Sequence, residues 1–173
     1  MATPFHLELV TPERVLLSTE SDGVSLRTDG GEIAFLAHHE DYIGAIDICL
    51  VTISLPTDAG HEGGAGSLRA AVHGGFVHVE DEGVRILASV AELADEIDIE
   101  RARRALGIAE SELAAEPTSS PEEGGSEEAL SPTMVALLFP ESPEAARRRA
   151  SARLEAAGAG AARGDATVRA TAS

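Results

Sequence analysis

The chain has 173 residues, 13 arginines without a lysine, and 30 Asp plus Glu, for a formal charge of -17. That acidity argues against binding nucleic acid by phosphate neutralisation, and four Phe, one Tyr and no Trp leave little for a stacking platform. No apolar run approaches the roughly 20 residues of a membrane helix, the opening residues lack the basic and apolar regions of a secretory signal, and the single Cys49 reads as a small buried hydrophobe, so a cytoplasmic setting is the expectation.

In chain order, Phe5-His6-Leu7-Glu8-Leu9-Val10 alternates, with Phe5, Leu7 and Leu9 on one face. Thr11-Pro12-Glu13-Arg14 breaks it, and Val15–Leu17 is a second short run. Val24–Thr28 and Glu32–Leu36 flank the turn Asp29-Gly30-Gly31. Ile46–Leu55 predicts a long apolar strand or strand pair. The Gly-rich stretch from Pro56 to Ser67 is expected to be a mobile hairpin loop. Leu68–His73 and Phe76–Glu80 are expected as two strands flanking Gly74-Gly75, and Val84–Val90 closes the set. Strands this short, separated by regular turn chemistry, predict an antiparallel sandwich or barrel over residues 1–91.

The remainder is richer in Ala, Glu and Arg, which favour helix. A helix is expected from Asp98, its cap, with Ala102, Leu106, Ala109 and Leu113 on one face. Residues 116–140 carry prolines, glycines and glutamates and predict a flexible acidic linker, within which the apolar run Met134–Phe139 has no assignment. Ser142-Pro143-Glu144 starts a second helix with the stripe Ala146, Ala150, Leu154 and Ala157, ended by Gly158 and Gly160. The whole of 92–158 thus predicts a two-helix antiparallel hairpin with a long insertion, and 159–173 a disordered tail. Alanine stripes bury little area, about a few kcal/mol at ~25 cal/mol per Å², which predicts an arm able to detach from the sandwich or re-pack.

Candidate chemistry is thin. His38-His39-Glu40-Asp41 clusters metal-ligand types, but neighbouring strand residues face opposite ways and no spaced His completes a set, so no metal is expected. Cys49 has no cationic neighbour in sequence to activate it, and without lysine there is no phosphate-binding P-loop. No catalytic residue is assigned. The remaining feature is basic: Arg147, Arg148, Arg149 and Arg153 on the second helix, with Arg149 and Arg153 one turn apart. Arg101 would join them if the helices pack antiparallel. Arginines covering a solvated helix face are the plainer reading of the same residues.

Five segments then carry a resemblance in order and spacing: Phe5–Pro12, Thr28–Leu36, Ala71–Val79, Val84–Ala88 and Ile97–Ala102. The chain resembles the epsilon subunit family of F-type ATP synthases. The resemblance implies a non-catalytic rotor-stalk subunit, peripheral on the cytoplasmic side of the bacterial cell membrane. Its sandwich would dock on gamma and the c ring. Its helices would fold on the sandwich, or extend toward alpha and beta and block hydrolysis. It further implies c-ring proximity for Glu32 and His39, although Ala37-His38-His39-Glu40-Asp41 lacks the family's prolines and glycine. No cofactor is required; a regulatory ATP on the folded hairpin would take Arg101, Arg149 and Arg153 toward phosphates, with Asp98 and Glu92 toward base or ribose. Arg147 and Arg148 would grip the beta subunit in the inhibited state. A free-standing β-sandwich binding module with a disordered acidic tail is the alternative from the residues alone.

Overall fold

The computed structural model describes residues 3–56, 66–80, 83–115 and 142–158. The expected linker at 116–140, most of the Gly-rich loop and the tail from 159 lie outside the described residues. Eight strands, β1 (Phe5–Val10), β2 (Val15–Ser21), β3 (Gly23–Thr28), β4 (Gly31–Phe35), β5 (Tyr42–Ser54), β6 (Ser67–Glu80), β7 (Gly83–Ala88) and β8 (Ala91–Leu93), precede two helices, α1 (Ile99–Ala115) and α2 (Pro143–Ala156). The strand order is β2-β1-β7-β6-β5-β3-β4, with β8 added on β6.

The expected sandwich is present, with one parallel pair: β1 runs parallel to β7, while the other ladders are antiparallel. One sheet supplies both layers because β5 and β6 are long and bend from one layer to the other. Their alternation reverses midway. In β5 the core takes Ile46 and then Val51 and Ile53; in β6 it takes Ala70 and Val72 and then Val77 and Val79. Both reversals fall at one place. Gly74 and Gly75 have φ of 80° and 137°, and Asp47 lies opposite Gly74, between the pairs Ile46–Gly75 and Ile48–His73. The two strands expected around Gly74-Gly75 are therefore one bent strand, because glycine lets the chain kink without leaving the ladder. Gly75 also permits close approach: a Cβ there would stand 2.1 Å from the Leu87 carbonyl oxygen.

The core is aliphatic, as alternation predicted: Leu7, Leu9, Val24, Phe35, Ile53 and Ile86 are fully buried. Cys49 is only half-buried against it. The three-residue β8 was not expected; it is too short to carry a periodic signal.

Both helix starts follow their caps. The Arg101 amide donates to Asp98 Oδ1 at 2.9 Å, and the Ala145 amide to Ser142 Oγ at 3.2 Å. Gly158, at φ 75°, ends α2 in the left-handed conformation. On α1, Ala102 and Ala109 of the predicted stripe are buried. On α2 the buried set is Ala145, Ala150, Ala152, Leu154 and Ala156, wider than one stripe, because this helix has two neighbours. It packs on β5 and β6 on one side and against α1 on the other.

Candidate functional site

The bend in β5 and β6 gives the sandwich two outer faces, and they differ. One carries α2. There Ala152 and Ala156 meet Ala71, Ile97, Ile48 and Leu50. These contacts are small, so charges share the task of holding the helix. Arg148 donates to Asp47, whose side chain is buried, and the other oxygen of Asp47 accepts the Ile48 amide at 2.7 Å. Arg153 bonds Glu92 through Nε at 2.8 Å and Nη2 at 2.5 Å, half-buried on both sides. Beneath Arg153 lies His73, whose Nε2 is buried without a hydrogen-bond partner. Burial first, then the nearby Arg153 and Arg149, push His73 down to about 4, against an opposing pull from Glu92. Neutral His73 is thus part of the docked arrangement.

The other outer face is bare of helix. Paired residues share a face of a sheet, so the register gives its rows directly. One row crosses five strands: Val15, Val10, Leu87, Phe76 and Ala45. Its exposed members are Val15 at 57%, Leu87 at 45% and Phe76 at 50%, with Ile43 at 72% two residues along β5 from Ala45. The next rows are polar. Glu8, Arg85 and His78 stand beside Ile43, and Glu20 beside His6. Arg85 Nε bonds Glu8 at 2.8 Å, which holds that carboxyl below its usual range. An apolar strip flanked by an ordered charged strip has the anatomy of a protein interface.

The expected site residues fall as follows. Glu92, Arg149 and Arg153 come together around His73. Arg101 is exposed on α1 and Asp98 is engaged as its cap. Arg147 is exposed on α2, and Arg148 is on Asp47. Glu32 pairs with Arg27 at 2.9 Å and lines the same cleft as Arg147 and Arg148. His39 lies past the far end of β4, its ring edge-on to Phe35 at 4.9 Å. His38 to Asp41 form no metal-binding group among the described residues. Asp47 and His73 were missed in the sequence. The signal for Asp47 was there: an acid within an otherwise apolar strand has to find a cation once buried.

The ATP synthase delta/epsilon chain β-sandwich domain family matches residues 4–94, the span from the first strand through β8. The chain belongs to the ATP synthase delta/epsilon chain family. The ATP synthase epsilon chain of Streptomyces griseus is 43% identical over 115 residues, 66% of this chain and 87% of that one. That of Thermobifida fusca is 45% identical over 107 residues, 61% and 74% respectively. In fold, the chain is similar to one in the cryo-EM structure of the Euglena gracilis mitochondrial ATP synthase (OSCP/F1/c-ring), with a TM-score of 0.53 and 24% identity over 90% of this chain and 78% of that one. Within this delta/epsilon chain the family match ends before α1, so the helical arm has to be read from its own contacts.

Proposed function

We propose that this epsilon-family chain is a non-catalytic rotor element of an F-type ATP synthase. It links gamma to the c ring with its sandwich and gates rotation with its helices. The observation that carries the reading is the bare apolar row Val15–Val10–Leu87–Phe76–Ala45. It lies on the face that α2 leaves open, so one face serves the axle while the other stores the arm. The Euglena chain of similar fold comes from an assembly described as containing F1 and the c-ring. Assembly of this kind would hold the chain at the cytoplasmic side of the bacterial membrane without a span of its own; none of the described helices is long and apolar enough to cross one.

The c-ring assignment of Glu32 and His39 splits on the geometry. Glu32 is near the start of β4 and His39 in the turn beyond its end, with about 10 Å of strand from Glu32 to Phe35 at ~3.3 Å per residue. Glu32 sits beside the folded arm, so we assign the ring side to the end of the sandwich that holds His39.

The arm arginines have a role already in the folded state. Arg148 and Arg153 hold α2 down; on release they become available to an acidic surface of the catalytic head, as Arg147 is throughout. A regulatory ATP at Glu92, Asp98, Arg101, Arg149 and Arg153 would have to displace Glu92 from Arg153. Calorimetry on the full chain tests that ligand, and no heat up to millimolar ATP dismisses it. The rotor reading is tested by pull-down with gamma. The wild-type chain is expected to bind, and Phe76→Asp with Leu87→Asp to lose binding while staying folded; retention by the double variant contradicts the assignment.

A further inference from the structure

A second feature on the arm side has no part in that reading. Between α2 and the sheet, beside β3 and β4, lies a cleft of about 510 Å³, within the size range of small-molecule sites. Its helix wall presents Arg147, Ser151 and Glu155, successive at one-turn spacing. Its sheet wall presents Arg27, Glu32 and Cys49. Three of the chain's 13 arginines, including Arg148, therefore face one space in a protein that is otherwise strongly acidic.

The three are set up differently. Arg27 is held by Glu32 through Nη2 at 2.9 Å, and Arg148 is held by Asp47 through Nη2. Each anchoring bond occupies one nitrogen of a guanidinium that has five N–H donors, so both heads are positioned with donors left over. Arg147 makes no ion pair among the described residues. Cys49 lines the same cleft; burial pushes its thiol up to about 11, against a smaller opposing pull from Arg27 and Arg148. The ladder is also open there. The β3–β5 register shifts between Ser25 and Thr28, and the Arg27 amide donates to Cys49 Sγ at 3.5 Å. The floor of this gap thus lacks the backbone pairing that closes the rest of the sheet.

We propose that this cleft binds a small oligo-anion, a polyphosphate or a polycarboxylate, between Arg27, Arg147 and Arg148. Planar guanidiniums from two walls suit oxyanions whose charges are spread over several oxygens. Glu32 and Glu155 at the walls offset part of the arginine charge, so tight binding needs a ligand with enough oxygens to engage all three guanidiniums at once. Because one wall is α2, the ligand binds only the docked arm and stabilises it by mass action. The site is separate from the Glu92–Arg153–Arg149 cluster and does not depend on the rotor reading.

The test uses the full chain in low salt, titrated by calorimetry with pyrophosphate in one arm and citrate in the other. Saturable binding of either supports the proposal, and the arm that binds more tightly names the ligand class. Arg27→Gln and Arg147→Gln are each expected to weaken binding about tenfold or more, equivalent to about 1.4 kcal/mol, and Arg101→Gln to leave it unchanged. A bound ligand should also slow alkylation of Cys49, the only thiol in the chain, several-fold, in wild type but not in Arg147→Gln. No binding of either probe at 10 millimolar, the same affinity in Arg27→Gln and Arg147→Gln as in wild type, or loss caused by Arg101→Gln overturns the proposal. A pull-down failure with gamma leaves it intact, which separates the two readings.

Discussion

Asp47 and His73 sit at one joint of the fold, where β5 and β6 bend, and both face the arm. Asp47 is buried with its charge met by Arg148 and by the Ile48 amide. Removing a partner of a buried pair leaves an uncompensated charge or an empty polar site, and breaking such pairs costs about 3–5 kcal/mol. Arg148→Ala is therefore expected to release α2 by an amount of that order. Faster alkylation of Cys49, which lines the cleft beneath α2, reads the release. His73 makes the docking pH-dependent. Its folded pKa, about 4, lies below the 6.5 of an ordinary imidazole, so the lifted state binds the proton more readily. Docking is then at full strength above pH 6.5 and weakens as pH falls from there toward 4. NMR signals of the α2 amides should shift toward an undocked form over that window in wild type. In His73→Leu the shift should vanish; an unchanged shift would trace the effect to another group. The sequence hinted that a buried Asp47 needs a cation but not which one, and it gave no role for His73. Asp47 read as part of an apolar strand and His73 as one of six scattered histidines, because the arginines that act on them, Arg148 and Arg153, are 101 and 80 residues away along the chain.

At the scale of elements, periodicity and caps were legible and bends were not. Alternation in β1 gave the buried Phe5, Leu7 and Leu9, and the caps Asp98 and Ser142 placed both helix starts. The continuity of β6 through Gly74-Gly75 was not, since two glycines read as a turn whether the chain reverses or only kinks. The structure makes the distinction testable. Gly75→Ala would drive a Cβ into the Leu87 carbonyl at a φ of 137°, a position where strain of about 1–3 kcal/mol adds to a backbone clash. A lowered urea midpoint, with loss of several kcal/mol, is expected; an unchanged midpoint would mean that β6 and β7 separate at no cost. The width of the α2 stripe was also hidden. One helical face was expected, yet Ala152 and Ala156 face the sheet in addition to the inner Ala150 and Leu154. In an alanine-rich helix, the pattern of apolar positions does not say how many neighbours the helix has.

For the whole molecule, the sandwich is a two-faced plate. One face holds an arm by small side chains and two ion pairs, Arg148–Asp47 and Arg153–Glu92. The other offers an apolar row and an ordered charged strip, and no part of the described chain covers it. The row was invisible in sequence because its members come from five strands, one residue from each, and only the register lines them up. The register lines up the surface that we propose for gamma. The decisive measurement is photo-crosslinking in the assembled ATP synthase from a benzophenone side chain placed at residue 76, with residue 108 on the exposed face of α1 as the comparison. The account predicts a strong adduct between position 76 and gamma and a weaker one from position 108. An adduct with gamma from 108 and none from 76 would contradict it.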